Sequence, residues 1–212
     1  ETLDPGITSG GCVVYDFKQR KALKNITMQR HVARRALQDI LSAFPELGAM
    51  VMASDMRIYQ LAASKAQEKL VSDEKMIFFV RPTEDLPEDW NKILFAAEPD
   101  ALAAVEKFVQ TRTYPGLHFV WSNDTYFEMF PKGVTKGSAL QNVCNLAGVH
   151  PSKTIVIGDY YNDIKIMRQA GYSAAVANAP SEVQALANEV IPSNDEAGVA
   201  QFLYKLINRF TT

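Results

Sequence analysis

The segment Thr154–Ile164 constrains the fold more than any other part of the chain. It opens with a short run of apolar, β-branched residues, Thr154–Ile157, which predicts a strand buried on both faces. The run ends at Gly158-Asp159, and an amphipathic segment follows that ends at Gly171, which predicts a helix. In an open α/β sheet, ligands bind just beyond the carboxyl ends of the strands, so we expect a crevice at Asp159.

Three polar side chains surround this expected crevice. Asp159 directly follows the strand, and Asn162 and Asp163 fall in the first turn of the predicted helix. Two carboxylates and an amide around one crevice suit a hard divalent cation, which takes oxygen ligands. The alternative is structural, since an Asp near a helix N-terminus caps the helix and complements its dipole. One Asp alone would favour the cap, whereas two around a strand end favour a site.

Lys136 is a cation at the N-terminus of a predicted helix, where positive charge is unfavourable. It lies in the first turn of a helix predicted to begin near Thr135, where the dipole is positive and a cation is disfavoured by ~0.3–1 kcal/mol. A helix N-terminus together with a lysine forms an anion site, particularly for phosphate, and Gly137 would let a ligand approach the backbone. The alternative is an exposed lysine that points into water. Together with Asp159 and Asp163, a phosphate held between lysine and metal is the better account.

The pattern of the chain changes near Pro131. Residues 23–127 combine mixed strands with helices, which predicts a small α+β module. Within it, Ala33–Phe44 has the periodicity of an amphipathic helix, and Leu117–Trp121 and Tyr126–Phe130 read as two strands. After Pro131 helices and strands alternate, which is typical of a parallel sheet.

Composition excludes several classes of function. Among the 212 residues, 22 Lys+Arg against 24 Asp+Glu leave a net charge of −2, so no basic field favours nucleic acid. No apolar run reaches the length of a membrane span, and we expect neither a membrane partner nor a secretory signal. Cys12 and Cys144 lie in apolar patterns, which favours a reducing compartment, and hence a cytoplasmic location, over a disulfide framework.

Four motifs of the second half, in this order and spacing, carry a resemblance to a known family. The chain resembles the Cof-type branch (cap type IIB) of the haloacid dehalogenase superfamily in Pro131–Leu140, Ile157–Asp163, Val176–Ala179 and Ser193–Val199. Residues Ile7–Val13 also resemble the family's strand entering the cap, with Gly10-Gly11 where an Asn-Gly pair is more usual.

The resemblance implies an α/β fold, a partial Rossmann-like core with an inserted α+β cap domain. The core would comprise residues 1–22 and 128–212, and the cap residues 23–127. The implied activity is that of a Mg²⁺-dependent phosphatase acting on a small phosphorylated metabolite such as a sugar phosphate.

The resemblance also implies a role for each matching residue. Lys136 would hold the phosphoryl group and Asn162 would orient the network around it, so both are catalytic candidates. Asp159 and Asp163 would hold Mg²⁺, the second directly or through water. Asn178 is a weaker candidate and, with Lys136, would bind the substrate.

One family motif is absent from the sequence. Aspartyl-phosphate chemistry needs an attacking carboxylate, and the family's Asp-x-Asp-Gly-Thr/Ser motif does not occur in residues 1–212. We therefore expect a fragment without its nucleophile segment, in which the 212-residue chain alone does not hydrolyse phosphate esters. The alternatives are a non-catalytic module that binds a phospho-ligand or a protein, and an unrelated doubly wound binding domain, which the four motifs disfavour.

The absent segment has a structural consequence for the strand Thr154–Ile157. Without its neighbour, this apolar strand would present a bare edge, which proteins rarely leave uncovered. We expect the edge to be covered by the missing N-terminal segment or by another copy of the chain.

Overall fold

The computed structural model describes residues 5–73 and 75–210, without the side chains of Arg209 and Phe210. The chain divides into two compact units, and the division falls between Val134 and Thr135.

A six-stranded sheet forms the centre of the first unit. Its strand order is β6-β5-β4-β7-β9-β8, and all neighbours are antiparallel except β5 and β6. Its strands are β4 (Gly48–Ala53), β5 (Ile58–Ala62), β6 (Phe79–Val80), β7 (Trp90–Ala96), β8 (Leu117–Asn123) and β9 (Tyr126–Pro131). The predicted strands at 117–121 and 126–130 are therefore confirmed as a hairpin.

Three helices cover the two faces of this sheet. They are α1 (Arg30–Ala43), α2 (Lys65–Asp73) and α3 (Pro99–Gln110). The apolar faces of α1 and α3 pack on one side, where Ile40 and Leu102 are fully buried with Phe95. Helix α2 packs on the other side through Leu70. Alternating strand residues supply both cores, as the period of two along a strand requires.

A small antiparallel sheet also belongs to the first unit. It consists of β1 (Pro5–Thr8), β2 (Val13–Asp16) and β3 (Lys21–Asn25). Between β1 and β2, Gly10 adopts a positive φ of 66° and its Cα faces the ring of Phe130, where a Cβ would approach within 2.3 Å. Glycine is thus required at this turn for both its backbone freedom and its size.

The second unit is built on a parallel three-stranded sheet. Its strands, in spatial order, are β10 (Ile155–Gly158), β11 (Tyr172–Val176) and β12 (Glu189–Ile191). Its helices are α4 (Lys136–Ala147), α5 (Ile164–Met167), α6 (Ser181–Gln184) and α7 (Gly198–Phe210). Leu140, Met167, Val183 and Phe202 bring one residue from each helix into the core over the sheet. The predicted helix–strand alternation and parallel sheet are confirmed.

Strand β10 is less buried than predicted. Val156 is buried, but Ile155 is 45% exposed, so the expectation of burial on both faces is wrong. The reason is that β10 lies at the edge of its sheet and pairs only with β11 within the described residues. What covers this edge stays a prediction.

The domain boundaries differ in one respect from the compact units. The α+β organisation of 23–127 agrees with the six-stranded sheet, and the mixed α/β class is confirmed. Residues 5–22, however, lie in the unit that ends at Val134, and their sheet is separate from the parallel one. The assignment of residues 1–22 and 128–212 to one core stays a prediction.

Two further features bear on the environment of the protein. Cys12 and Cys144 are both buried and unpaired, and burial raises the pKa of the Cys12 thiol to about 12. Across the described residues, we find no helix with the length and apolar character needed to cross a bilayer. The cytoplasmic location stays a prediction.

The first unit contains a tyrosine whose ionisation opposes folding. The Tyr114 hydroxyl donates to Asp39 Oδ2 at 3.0 Å, and burial together with this carboxylate raises the pKa of Tyr114 to about 12. Tyrosine in the unfolded chain ionises near pH ~10. The stability linked to Tyr114 is therefore complete below pH ~10 and is lost as the pH rises towards ~12.

We expect Tyr114→Phe to lower the free energy of unfolding by about 1 kcal/mol at neutral pH, because a hydrogen bond is lost. The same variant should lose less stability than the wild type above pH ~10. Urea unfolding across this pH range measures both effects, with the exposed Tyr204→Phe as the control. Parallel pH profiles for wild type and Tyr114→Phe would contradict this account.

Candidate functional site

The carboxyl end of β10 leads into a tight turn rather than directly into a helix. Asp159 follows the strand and is exposed, and Tyr161–Asp163 form a 3₁₀ turn before α5 begins at Ile164. Asn162 and Asp163 were predicted in the first turn of a helix, and they lie in this 3₁₀ turn, which leads directly into α5. The backbone N–H of Asp163 donates to the Tyr160 carbonyl at 3.0 Å, and the tighter winding brings the Asp163 side chain back towards the strand.

Asp163 accepts hydrogen bonds on both of its carboxylate oxygens. Lys136 Nζ donates to Oδ1 at 2.6 Å, and the backbone N–H of Asp159 donates to Oδ2 at 3.1 Å. Asp163 is only 6% exposed. The carboxylate thus joins the end of β10 to the first residue of α4, and it compensates the charge of Lys136 at that helix terminus.

The start of α4 is held independently of this ion pair. The Thr135 side chain accepts from the N–H of Ser138 at 3.1 Å, and Ser138 Oγ accepts from the N–H of Thr135 at 2.9 Å. This reciprocal capping box satisfies two terminal donors. It fixes the first turn of the helix, so the backbone from which Lys136 extends is ordered.

Two glycines allow the elements of the site to approach closely. A Cβ on Gly158 would lie 2.9 Å from Asp163 Cβ and 2.5 Å from Met167 Sδ. A Cβ on Gly137 would lie 2.7 Å from the Lys165 carbonyl oxygen. Gly137 therefore serves the packing of α4 on α5, and the interpretation that it admits a ligand to the backbone is wrong. The role of Gly158 was missed, although its place directly before Asp159 was visible in the sequence.

The two aspartates have opposite electrostatics. Although the residue as a whole is exposed, partial burial of its carboxyl group raises the pKa of Asp159, and its hydrogen bond and charge interaction with Asp163 raise it further, against the opposing effect of Lys136. Burial also acts to raise the pKa of Asp163, but the Lys136 charge and the hydrogen bonds from Lys136 and Asp159 outweigh it and lower that pKa. The ionised form is thus favoured at Asp163 and disfavoured at Asp159, so a cation bound beside them would stabilise the ionised form of Asp159.

The two asparagines are placed differently. The Asn162 Oδ1 atom is buried without a hydrogen-bond partner among the described residues. In the sequence, Asn162 directly precedes Asp163. Asn178 follows β11 and is exposed, and its Oδ1 accepts from the backbone N–H of Asn194 at 3.2 Å. The structure therefore joins Lys136 to Asp163 and Asp163 to Asp159, whereas Asn178 contacts the loop after β12.

The donor set fits a small hard cation. In the described ranges, no group of three or more His, Cys, Asp or Glu side chains is arranged to hold a metal. Mg²⁺ does not need such a cage, since it usually keeps several waters and takes one or two carboxylates plus substrate phosphate. Asp159, Asp163 and the unpartnered Asn162 oxygen match this requirement, and Lys136 supplies a cation for the phosphate.

Comparison with known proteins agrees with the fold. The family model described as haloacid dehalogenase-like hydrolase matches residues 1–203. A putative phosphatase of Haemophilus influenzae is 31% identical over 113 residues, which are 53% of this chain and 43% of that protein. The chain spans less than half the length of the first curated relatives it matches, with shares of 43%, 49% and 48%.

Solved structures show the same fold. A Streptococcus mutans protein superposes with a TM-score of 0.83 at 24% identity, covering 96% of this chain and 77% of that one. The subclass IIB sugar phosphatase BT4131 superposes with a TM-score of 0.81 at 17% identity, covering 96% and 75%. Since the family model covers nearly the whole sequence, the chain belongs to the haloacid dehalogenase-like hydrolases.

Proposed function

We propose that the whole protein is a Mg²⁺-dependent phosphatase that hydrolyses a small phosphorylated metabolite such as a sugar phosphate. The observation that carries the proposal is the chain of contacts from Lys136 through Asp163 to Asp159 at the carboxyl end of β10. Core packing does not require a lysine and two carboxylates to meet there, whereas phosphoryl transfer does, because charge on the transferring group must be balanced. The name of the H. influenzae relative supports a phosphatase activity, and that of the sugar phosphatase BT4131 supports the substrate class.

Asp159 and Asp163 would hold the Mg²⁺, with unequal roles. Both Asp163 oxygens already accept hydrogen bonds, so this residue supports the metal or its water shell. Asp159 is exposed at the end of the strand, and partial burial of its carboxyl group and the neighbouring Asp163 raise its pKa, so a bound cation would stabilise its ionised form and Asp159 would be the direct ligand. When bound, the metal supplies positive charge to the oxygens of the phosphoryl group.

Lys136 and Asn162 would act on the phosphoryl group itself. Asp163 holds the Lys136 ammonium at 2.6 Å, which leaves two of its three donors for phosphate oxygens. Asn162 would orient this network through its amide, and Asn178 would contact the remainder of the substrate from the neighbouring loop. The attacking carboxylate is not among these residues, and the 212-residue chain would bind Mg²⁺ and phosphate weakly without hydrolysis.

The test is a phosphatase assay of the whole protein with sugar phosphates and nucleotides, with Mg²⁺ and with a chelator. Activity should require Mg²⁺, and Lys136→Ala should lower kcat/KM by the equivalent of about 2–4 kcal/mol, the cost of deleting a preorganised electrostatic contact. Lys153→Ala, an exposed lysine of the same unit, is the matched control. Hydrolysis that persists in the chelator would refute the proposal. A kcat/KM of Lys136→Ala equal to that of the wild type would also refute it.

Asp159→Asn tests the metal role separately from the fold. The charge of Asp159 is disfavoured beside Asp163, so its removal should leave the melting temperature unchanged or slightly raised without metal. Mg²⁺ binding measured by calorimetry on the 212-residue chain should nevertheless be lost.

The exposed Asp195→Asn is the control for a general loss of negative charge. If Asp159→Asn binds Mg²⁺ as the wild type does, Asp159 is not a ligand. If it instead melts well below the wild type, its role is structural.

A further inference from the structure

Helix α1 carries three arginines, and they differ in their partners. Arg30 forms an ion pair with Glu88, and Arg35 Nε lies 3.7 Å from Asp39 Oδ2. Arg34, between them, forms no ion pair with any residue of the described ranges. It is therefore the arginine of this helix whose charge is not met by a carboxylate.

The Arg34 guanidinium is held by an aromatic ring instead. Its Cζ lies 5.2 Å from the centroid of the Trp90 ring, and Trp90 is only 1% exposed. The indole N–H donates to the Pro87 carbonyl at 2.7 Å, which fixes the ring. Arg34 Nε and Nη2 are buried and donate to no described acceptor. Unpaired buried donors are uncommon in native proteins, and here the group is also charged.

Arg34 lines a cleft of about 480 Å³ between α1 and the 3₁₀ turn Thr83–Asp85. The positions on α1 share one helical face, spaced i, i+3, i+4, i+7 and i+8. The walls combine aliphatic and polar side chains: Leu37, Gln38, Leu41, Ser42 and Thr83. The cleft thus offers an arginine cation, neutral hydrogen-bonding groups and an apolar wall to one ligand.

We propose that this cleft binds a small monoanionic carboxylate with a short aliphatic chain. The carboxylate would pair with the Nη1 end of the Arg34 guanidinium, because Nε and Nη2 are buried. The aliphatic chain would pack on Leu41, since Leu37 is only 2% exposed. A monoanion is preferred over a dianionic phosphate because Glu84 and Asp85 follow Thr83 in the same turn and repel a second negative charge. The proposal uses no residue of the Lys136 site and does not depend on the proposed phosphatase activity.

The test uses the indole N–H resonance of Trp90 in NMR titrations of the 212-residue chain. Hexanoate is the main probe. Hexanol lacks its charge, and inorganic phosphate lacks its aliphatic chain. Hexyl phosphate has the aliphatic chain and carries a second negative charge. We expect hexanoate to shift the Trp90 resonance saturably and to bind more tightly than the other three. Arg34→Gln should weaken hexanoate binding at least about tenfold, equivalent to ~1.4 kcal/mol.

Arg35→Gln removes an arginine of the same helix that already has a carboxylate partner, so it should bind hexanoate as the wild type does. Three results would overturn the proposal. The first is a Trp90 resonance that hexanoate leaves unchanged, in which case water alone satisfies the guanidinium. The second is an equal response to hexanol, and the third is hexanoate binding that Arg34→Gln does not weaken.

Discussion

The candidate site depends on the carboxylate of Asp163, which accepts from both Lys136 Nζ and the backbone of Asp159. A buried carboxylate is costly unless it is paired and hydrogen-bonded, and here each oxygen has a donor. The same contacts offset the unfavourable position of Lys136 at the start of α4. One side chain therefore links a helix terminus to a strand end, and the small volumes of Gly137 and Gly158 permit that approach.

The two aspartates differ in their electrostatic environment. Asp163 is stabilised as an anion by contacts within the protein, whereas Asp159 remains exposed beside a like charge. A bound cation would relieve the repulsion at Asp159, so binding and folding place opposite demands on this residue. Unfavourable charge interactions of this kind are typical of functional sites.

Much of this organisation could be predicted from sequence, because the relevant signals are local. The β-branched run before Gly158 identified β10, and the helix predicted to begin near Thr135 is α4, which begins at Lys136. The ion pair of Asp163 could not be predicted from local signals, since its partner Lys136 lies 27 positions away. The packing role of Gly137 and the unpaired state of Arg34 likewise depend on long-range neighbours that a single sequence does not identify.

The most direct test of the metal and phosphate site is Mn²⁺ substituted for Mg²⁺ in NMR of the 212-residue chain. Paramagnetic broadening marks amides near the bound ion without requiring turnover. The account predicts that substoichiometric Mn²⁺ broadens the amides of residues 158–163 and of Lys136 first, and that excess Mg²⁺ restores them. Broadening centred instead on the acidic turn at Asp195-Glu196, or spread over all exposed acids, would contradict it.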